Sequence, residues 1–217
     1  MKWAVGWRIT VMSNVRSSPQ LHLPAVESTA NHEPGPYQKL IAEARRSGVE
    51  YSKIWDLFAF RNEVTVHLAR FSHGVMRQPA SITPAMRELI AAYTSYQNEC
   101  GFCTKAHAAT AAALLNDEAL VWQALRDVDR SPLSDKDKLL LRFVGKVTKD
   151  LPAVQADDVA RLREAGWDDE AIYFAITTCA LFNFYNRWIT ATGVPEMSED
   201  AHRQQGESIA SRGYARE

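Results

Sequence analysis

The sequence predicts an all-α protein, a helical bundle that contains a weak internal duplication. From Tyr37 onward, apolar residues recur at helical spacing almost throughout the chain. Residues that start or stop helices bound these segments, among them the Thr83–Pro84 pair and Gly193. The stretch ITPAMRELI aligns with LSDKDKLLL 51 residues later, and the same offset places NDEALVWQAL over WDDEAIYFAI. Together these observations favour packed helices that include a degenerate repeat.

The chain is expected to contain three parts. Residues 1–36 carry the strand-like stretch WRITVM and then a passage rich in Ser, Pro and Asn, which predicts an arm or loop without a core of its own. Such an arm can lie on a partner subunit. Residues 37–195 form the predicted helical domain, and residues 196–217 form a C-terminal tail with one more exposed helix.

The helical domain begins with the segments YQKLIAEARRSG and RNEVTVHLARFSHGVM. Thr83 is the predicted cap of the next helix, TPAMRELIAAYTSYQNE, and Pro84 lies in its first turn. The Ala-rich segment CGFCTKAHAATAAALL follows, which predicts a helix that ends near Asn116 and has two cysteines at its N-terminal end.

The rest of the domain is also helical by its pattern, in the segments DEALVWQAL, SDKDKLLLRFVGKVTK, ADDVARLREAG and DDEAIYFAITTCALFNFYNRWITATG. The last segment is long, apolar at its centre and ended by Gly193 and Pro195. It is therefore predicted to be the buried helix around which the others pack.

The repeat indicates which half carries the chemistry. At the offset of 51 residues, Leu151 and Val154 align with Cys100 and Cys103, and Leu139 aligns with Glu88. The second copy of the repeat would therefore contribute only to the packing of the helices, and the first copy would carry the chemistry.

Composition and charge narrow the function classes. The chain has 217 residues, 46% of them hydrophobic, enough for one well-buried domain or two small ones. Lys plus Arg number 25 against 26 for Asp plus Glu, so no nucleic acid or acidic membrane is expected as a partner. A small uncharged or apolar ligand fits better.

Membrane insertion and secretion are not expected. No uninterrupted apolar run reaches the roughly 20 residues that cross a bilayer. The apolar run after Lys2 is interrupted by Arg8, and no small-residue cleavage site follows closely, so a signal peptide is not expected either. The predicted location is the cytoplasm.

The stretch ECGFCTKAH, from Glu99 to His107, groups two of the three cysteines with a histidine. An odd number of cysteines does not indicate a disulfide framework. Thr104 stands where a c-type haem site needs its histidine, which excludes haem attachment. A structural zinc needs four ligands, and this chain offers one pair, His107 and the distant Cys179, so no metal is expected. Two cysteines that act only as small buried hydrophobes remain an alternative.

Redox chemistry explains the spacing better. A thiolate at a helix N-terminus is stabilised by unpaired backbone N–H groups and by the helix dipole. The CxxC spacing brings both sulfurs onto one turn, so that a disulfide can form and open without a large backbone movement. His107 lies one turn beyond Cys103 on the same face and can accept its proton, directly or through a water.

Glu88, Cys100, Cys103 and His107 reproduce the E-x11-C-x2-C-x3-H pattern, and the chain here resembles the alkylhydroperoxidase D-like proteins of the carboxymuconolactone decarboxylase superfamily. The resemblance extends to RELIAAYTSYQNECGFC and to ALFNFYNRWITATGVP, which is similar to a segment of the peroxidase-related branch. It covers about residues 37–195. One departure is Phe102, where the best-known relay of the family has a further histidine.

The resemblance implies an all-helical homo-oligomer that reduces organic hydroperoxides, an antioxidant activity, without a cofactor. Cys103 would be the peroxidatic thiolate that becomes a sulfenic acid, and Cys100 would resolve it into a disulfide. Glu88 and His107 would form the proton relay. A dithiol, or a thioredoxin-like or lipoyl protein, would then reduce the disulfide.

Other polar and aromatic residues have less specific interpretations. Cys179 is expected to be a core thiol. Polar residues within the last apolar helix are expected to bridge helices or subunits, namely Asn183, Asn186 and Arg187. Four aromatic residues are expected either to line an apolar pocket or simply to belong to the core, namely Trp55, Phe58, Phe60 and Phe71.

Two rival functions remain open. A lactone decarboxylase shares the fold but does not need the cysteine pair, so its activity should survive cysteine blocking. A non-enzymatic redox sensor would react with peroxide once and stop, even with dithiol present.

Overall fold

The computed structural model describes residues 20–214, and within them the chain forms α-helices, two short 3-10 turns and no β-strand. The all-α prediction is confirmed, whereas the stretch WRITVM lies outside the described residues. None of the described helices combines the length and apolar character that a membrane span requires. In chain order the helices are α1 Pro24–Glu27, α2 Pro36–Ser47, α3 Ile54–Phe60, α4 Asn62–Arg77, α5 Pro84–Gln97, α6 Gly101–Leu115, α7 Glu118–Arg126, α8 Asp135–Lys149, α9 Ala156–Glu164, α10 Asp169–Thr192 and α11 Glu199–Arg212.

Two apolar cores hold these helices together. The first core lies among α5 to α9 and the first half of α10, and includes Leu89, Ile90, Leu125, Leu140, Leu141, Leu162 and Ile172. The second core joins α3, α4, the start of α6 and the second half of α10, and includes Leu57, Phe58, Met76, Phe102, Cys103, Leu181, Phe182 and Tyr185. The cysteine motif therefore lies in an apolar environment.

Helix α5 occupies the centre of the bundle. All residues from Leu89 to Ser95 are buried on this helix, whatever side they face. Helix α10, which the sequence predicted to be central, instead exposes Tyr173 and Phe184, at 62% and 47% of their surfaces. The long apolar run of α10 covers the bundle with one side and faces solvent with the other.

The helix boundaries follow the 51-residue repeat. Thr83 caps α5 by accepting a hydrogen bond from the Met86 amide, and Ser134 caps α8 in the same way at the same offset. Asp117 and Asp168 likewise cap α7 and α10 through their side chains. The matching caps support the internal duplication in three dimensions as well as in sequence.

A Schellman turn joins α5 to α6 and positions the first cysteine. The Cys100 amide donates to the Ser95 carbonyl, and the Glu99 amide donates to the Tyr96 carbonyl, both at 3.0 Å. Glu99 adopts the left-handed conformation, with φ of 57°, where helices usually carry glycine. The Cys100 carbonyl then accepts the Thr104 amide at 2.9 Å. Cys100 thus closes α5 with its amide and begins α6 with its carbonyl.

The two ends of the described chain pack onto the bundle. Leu21 and Val26, from the segment predicted to be an arm, are buried in the second core. Helix α11 was predicted to be exposed, but His202, Gly206 and Ile209 are buried where it packs on α6. The division at residues 36 and 195 stays a prediction.

We expect Gly206 to be required for this helix contact. A Cβ atom at Gly206 would lie 2.8 Å from the backbone carbon of Ala109, too close to be accommodated without movement. Gly206→Ala should lower the free energy of unfolding by about 1–3 kcal/mol. Gly74→Ala, within α4 where the nearest atom would be 3.9 Å away, should raise it by up to about 1 kcal/mol. Urea unfolding followed by circular dichroism checks both, and equal effects of the two substitutions would contradict this packing.

Candidate active site

The structure brings the four sequence-predicted site residues into the interior around the start of α6. Cys100 and Cys103 are 3% and 1% exposed, Glu88 is fully buried on α5, and His107 is 8% exposed on α6. The packing of α5 against α6 aligns the carboxylate of one helix with the imidazole of the other. The Glu88 Oε2 and His107 Nδ1 atoms lie 2.8 Å apart.

Three groups compensate the buried carboxylate of Glu88. Besides His107, the Arg77 Nη2 donates to Oε1 at 2.6 Å, and the Tyr214 hydroxyl donates to the same oxygen at 2.7 Å. Burial alone would raise the pKa of Glu88, but the hydrogen bond from His107 and the charges and hydrogen bonds of the other two groups hold this pKa below its ordinary value. Glu88 is therefore an anion at neutral pH.

The imidazole of His107 is fixed from several sides. Its Nδ1 faces Glu88 and also lies 3.2 Å from the Tyr214 hydroxyl. The ring meets Phe182 edge to face, with centroids 4.2 Å apart. In the neutral imidazole, an ionised Glu88 favours the tautomer with the proton on Nδ1, which leaves the lone pair on Nε2. Nε2 makes no hydrogen bond to any residue between 20 and 214, so it is left for a water or a ligand.

The cysteine pair consists of free thiols in unequal surroundings. The Cys103 thiol and backbone amide, together with the side chains of Thr190 and Asn186, lower the pKa of Cys100 to about 6 despite its burial. The neighbouring Cys100 sulfur and deep burial raise the pKa of Cys103 well above its ordinary value. These opposite shifts indicate that the two sulfurs share one proton and that the surroundings of Cys100 favour its charged form.

The Glu88–His107 pair and the two thiols are neighbours that are not directly hydrogen-bonded in the described residues. Among the described residues no hydrogen bond joins His107 to either cysteine. The sequence analysis allowed proton transfer from Cys103 to His107 directly or through a water. In this arrangement a bridging water or ligand is required.

Sequence reasoning missed two residues of the network. Arg77 ends α4, and Tyr214 follows α11 in the C-terminal tail. Neither residue belongs to a local motif, and Tyr214 meets a carboxylate 126 residues away. Only the packing of α4 on α5 and of α11 on α6 brings them to Glu88.

The amides of α10 tie this helix to the cysteine turn, as predicted. Asn98 Nδ2 donates to the side-chain oxygens of Asn183 and Asn186, at 3.1 and 2.9 Å. Asn186 in turn donates to the Ser95 hydroxyl at 2.9 Å. Arg187 instead donates back to Asn183 within its own helix. The third cysteine, Cys179, is fully buried in the first core, where it was expected.

A small cavity adjoins the site on the side of α3 and α4. Trp55 and Phe58 line it, as the sequence analysis proposed, together with Phe102, Tyr185 and Tyr214. Phe60 and Phe71 do not line it, and Phe71 is 53% exposed. No group of three or more His, Cys, Asp or Glu side chains in residues 20–214 is arranged to hold a metal ion.

Comparisons with known proteins agree with this fold and motif. Residues 63–126 match the model of the carboxymuconolactone decarboxylase family, which confirms the resemblance stated from the sequence. An uncharacterized peroxidase-related protein from Silicibacter sp. TM1040 is similar in structure, with a TM-score of 0.74, 23% identity, and coverage of 87% of this chain and 97% of that one. A second similar structure, described as an alkylhydroperoxidase AhpD core and uncharacterized peroxidase-related protein from Ralstonia eutropha JMP134, has a TM-score of 0.73, 23% identity, and coverage of 88% and 98%. No curated protein matches the chain.

We expect a thiolate to form near pH 6 in the reduced protein. Thiolate absorbance at 240 nm should rise with a midpoint near pH 6, because the surroundings of Cys100 favour its charged form. Cys100→Ser should remove this transition, and Cys179→Ser, in the first core, should keep it. A midpoint above pH 8, or one that persists in Cys100→Ser, would show that Cys100 is not the ionised thiol.

The Glu88 carboxylate should also contribute to stability in a pH-dependent way. Glu88→Gln removes one partner of a buried ion pair and should cost about 3 kcal/mol of unfolding free energy at pH 7. Because the folded-state pKa of Glu88 is depressed, this contribution is present above the ordinary pKa of 4.5 and is lost as the pH falls through the lower folded-state value. Urea unfolding at pH 7 and pH 3.5 should show the difference from the parent protein shrinking. Glu164→Gln, at an exposed position, is the control, and a pH-independent difference would argue against an ionised Glu88.

Proposed function

We propose that this chain, which matches the carboxymuconolactone decarboxylase family over residues 63–126 and has an alkylhydroperoxidase D-like fold, is a thiol-dependent peroxidase or disulfide oxidoreductase that reduces organic hydroperoxides. The observation that carries the proposal is the CxxC pair at the N-terminus of α6, with one thiol of depressed pKa. The buried carboxylate–imidazole pair beside it supplies the proton relay.

The unequal protonation of the pair suggests the first step. Cys103 passes its proton to the Cys100 thiolate or, through a water, to Nε2 of His107. The Cys103 thiolate then attacks the terminal oxygen of the hydroperoxide, an S–O bond forms, and the O–O bond breaks. The products are a sulfenic acid on Cys103 and an alkoxide, which takes a proton to become the alcohol.

Resolution and turnover complete the balance. Cys100 gives up any proton that it took from Cys103 to the alkoxide and attacks the sulfur of the sulfenic acid as a thiolate. The hydroxide that leaves is protonated to water as the disulfide forms. A dithiol then reduces the disulfide by thiol–disulfide exchange and becomes oxidised itself. A thioredoxin-like or lipoyl protein would fill this role in the proposed cytoplasmic setting.

The relay divides its work between two residues. Because Arg77 and Tyr214 hold Glu88 as an anion, this carboxylate is a weak base and mainly orients His107. His107 Nε2 then accepts a proton from the attacking thiol and returns it to the leaving alkoxide. The Tyr214 hydroxyl supports the same arrangement by bonding both Glu88 and His107.

We also propose that the protein is a homo-oligomer. Within the FNFYNRWI segment of α10, the side chains of Phe182, Tyr185 and Ile189 are buried within the chain itself. Phe184 remains exposed, as do Tyr173 and Ile176 nearer the start of α10. These three side chains form the apolar surface on which subunits would meet.

Single cysteine substitutions test the mechanism. Cys103→Ser should abolish the first reaction with peroxide, because a hydroxyl is far less nucleophilic than a thiolate. Cys100→Ser should react once and leave a sulfenic acid that a dimedone probe traps, but should not turn over, since no disulfide forms. Stopped-flow mixing with hydroperoxide, steady-state turnover with dithiol and mass spectrometry of the trapped adduct measure these outcomes. Cys179→Ser is the matched control and should retain turnover.

Other outcomes point to other conclusions. If Cys100→Ser loses the first step and Cys103→Ser keeps it, the roles of the two thiols are reversed. If both variants turn over, the redox proposal fails. Lactone decarboxylation that survives cysteine blocking would favour the decarboxylase, and a single stoichiometric reaction in the presence of dithiol would favour the sensor.

A further inference from the structure

We infer that the cavity beside the relay binds the organic part of the oxidant and selects a small, uncharged alkyl hydroperoxide. This inference rests on the proposed function, since it names the substrate class of the same site. The cavity has a volume of about 90 Å³ and opens between α3, α4, α10 and the C-terminal tail. Its lining residues include Ile54, Ala69, Ser72, Phe102, Tyr185 and Tyr214.

The cavity is lined by side chains that neighbour the cysteines or contact the proton relay. Tyr214 lines it, and the same side chain bonds Glu88 and His107. Phe102 lines it and separates the two cysteines in the sequence. Tyr185 lines it, and this phenol lies close enough to Cys103 for the charge of that thiol to contribute to the raised pKa of Tyr185. A molecule in the cavity therefore contacts side chains, Phe182 and Tyr214, that themselves contact His107.

The chemistry of the walls excludes a charged ligand. Among residues 20–214, none of the side chains that line the cavity carries a charge, and most are aromatic or aliphatic. The Ser72 and Tyr185 hydroxyls satisfy each other at 2.7 Å, and the Tyr214 hydroxyl is committed to Glu88. A carboxylate or ammonium group would lose its hydration without finding an opposite charge, which is costly. An apolar alkyl group loses nothing of this kind and gains from burial.

The volume limits the size of the bound group. An apolar cavity of about 150 Å³ is known to hold benzene. The cavity here is smaller, at about 90 Å³, so its enclosed part accommodates a compact alkyl group better than a phenyl ring. Ala69, on α4, is the smallest lining side chain, and Ile54, on α3, lines the cavity from another helix. These two positions should therefore set the size of the group that is accepted.

Kinetic selectivity tests the inference. The parent protein should have a kcat/KM for tert-butyl hydroperoxide about tenfold above that for cumene hydroperoxide. Ala69→Leu should fill the cavity and lower the ratio of kcat/KM for tert-butyl hydroperoxide to that for hydrogen peroxide about tenfold. Ile54→Ala should enlarge the cavity and shift selectivity in the opposite direction, toward cumene hydroperoxide. Ala113→Leu, at an exposed position of α6 away from the cavity, is the matched control and should change none of the ratios.

Binding without chemistry separates the cavity from the proposed function. In the Cys100→Ser/Cys103→Ser variant, labelled with ¹³C at alanine methyl groups, tert-butanol should shift the Ala69 resonance. Pivalate, an anion of similar shape, should not. If tert-butanol shifts Ala69 but the parent protein reduces no hydroperoxide, the cavity assignment holds and the proposed function fails. The opposite outcome is that the parent protein turns over hydroperoxides, that neither Ala69→Leu nor Ile54→Ala changes selectivity, and that tert-butanol leaves the Ala69 resonance unshifted. In that case the inference about the cavity is wrong and the proposed function stands.

Discussion

The burial of the Glu88 charge is the constraint on which the rest of the site depends. Removing a carboxylate from water costs several kcal/mol unless partners replace the lost hydration. Arg77, His107 and Tyr214 supply that replacement from α4, α6 and the C-terminal tail. One buried charge thus requires three distant segments to meet at one point, and the close contact of α11 with α6 at Gly206 helps to bring the last of them into place.

The same bundle gives the two thiols different surroundings. Polar side chains from α10, Thr190 and Asn186, stabilise charge on Cys100, whereas Cys103 lies deeper in the second apolar core. A pair of this kind shares one proton between two sulfurs rather than carrying two independent thiols. Glu88 and His107 make no hydrogen bond to either cysteine in the described residues. The proposed proton transfer between the cysteines and His107 would therefore pass through a water or a ligand that lies between them.

Much of the fold could be predicted from the sequence because it depends on local patterns. Thr83 as a cap, the helix end near Asn116 and the position of the cysteines at the start of α6 follow from residues within one or two turns. The family resemblance identified Glu88 and His107, which the structure brings within hydrogen-bond distance. The partners of Glu88 could not be predicted, because Tyr214 is separated from it by 126 residues and belongs to no motif.

The errors have a common physical origin. The apolar run of α10 suggested a central helix, but hydrophobicity does not reveal which side of a helix faces solvent when the exposed side is also apolar, as at Tyr173 and Phe184. In the same way Phe60 and Phe71 could not be separated from Trp55 and Phe58 by residue type, since only the packing of α3 and α4 decides which rings reach the cavity.

Cys100 belongs to two helices at once, through an amide that closes α5 and a carbonyl that begins α6. Its backbone is therefore held by the two most extensively packed helices of the bundle, and its partner sulfur lies within the same turn. Formation of a disulfide between two such cysteines would change bond lengths and torsions over a few atoms. It would not displace distant parts of the molecule. The proposed thiol cycle would therefore need no displacement of α5 or α6, in contrast to proteins whose redox state is transmitted by refolding or by exchange of subunit contacts.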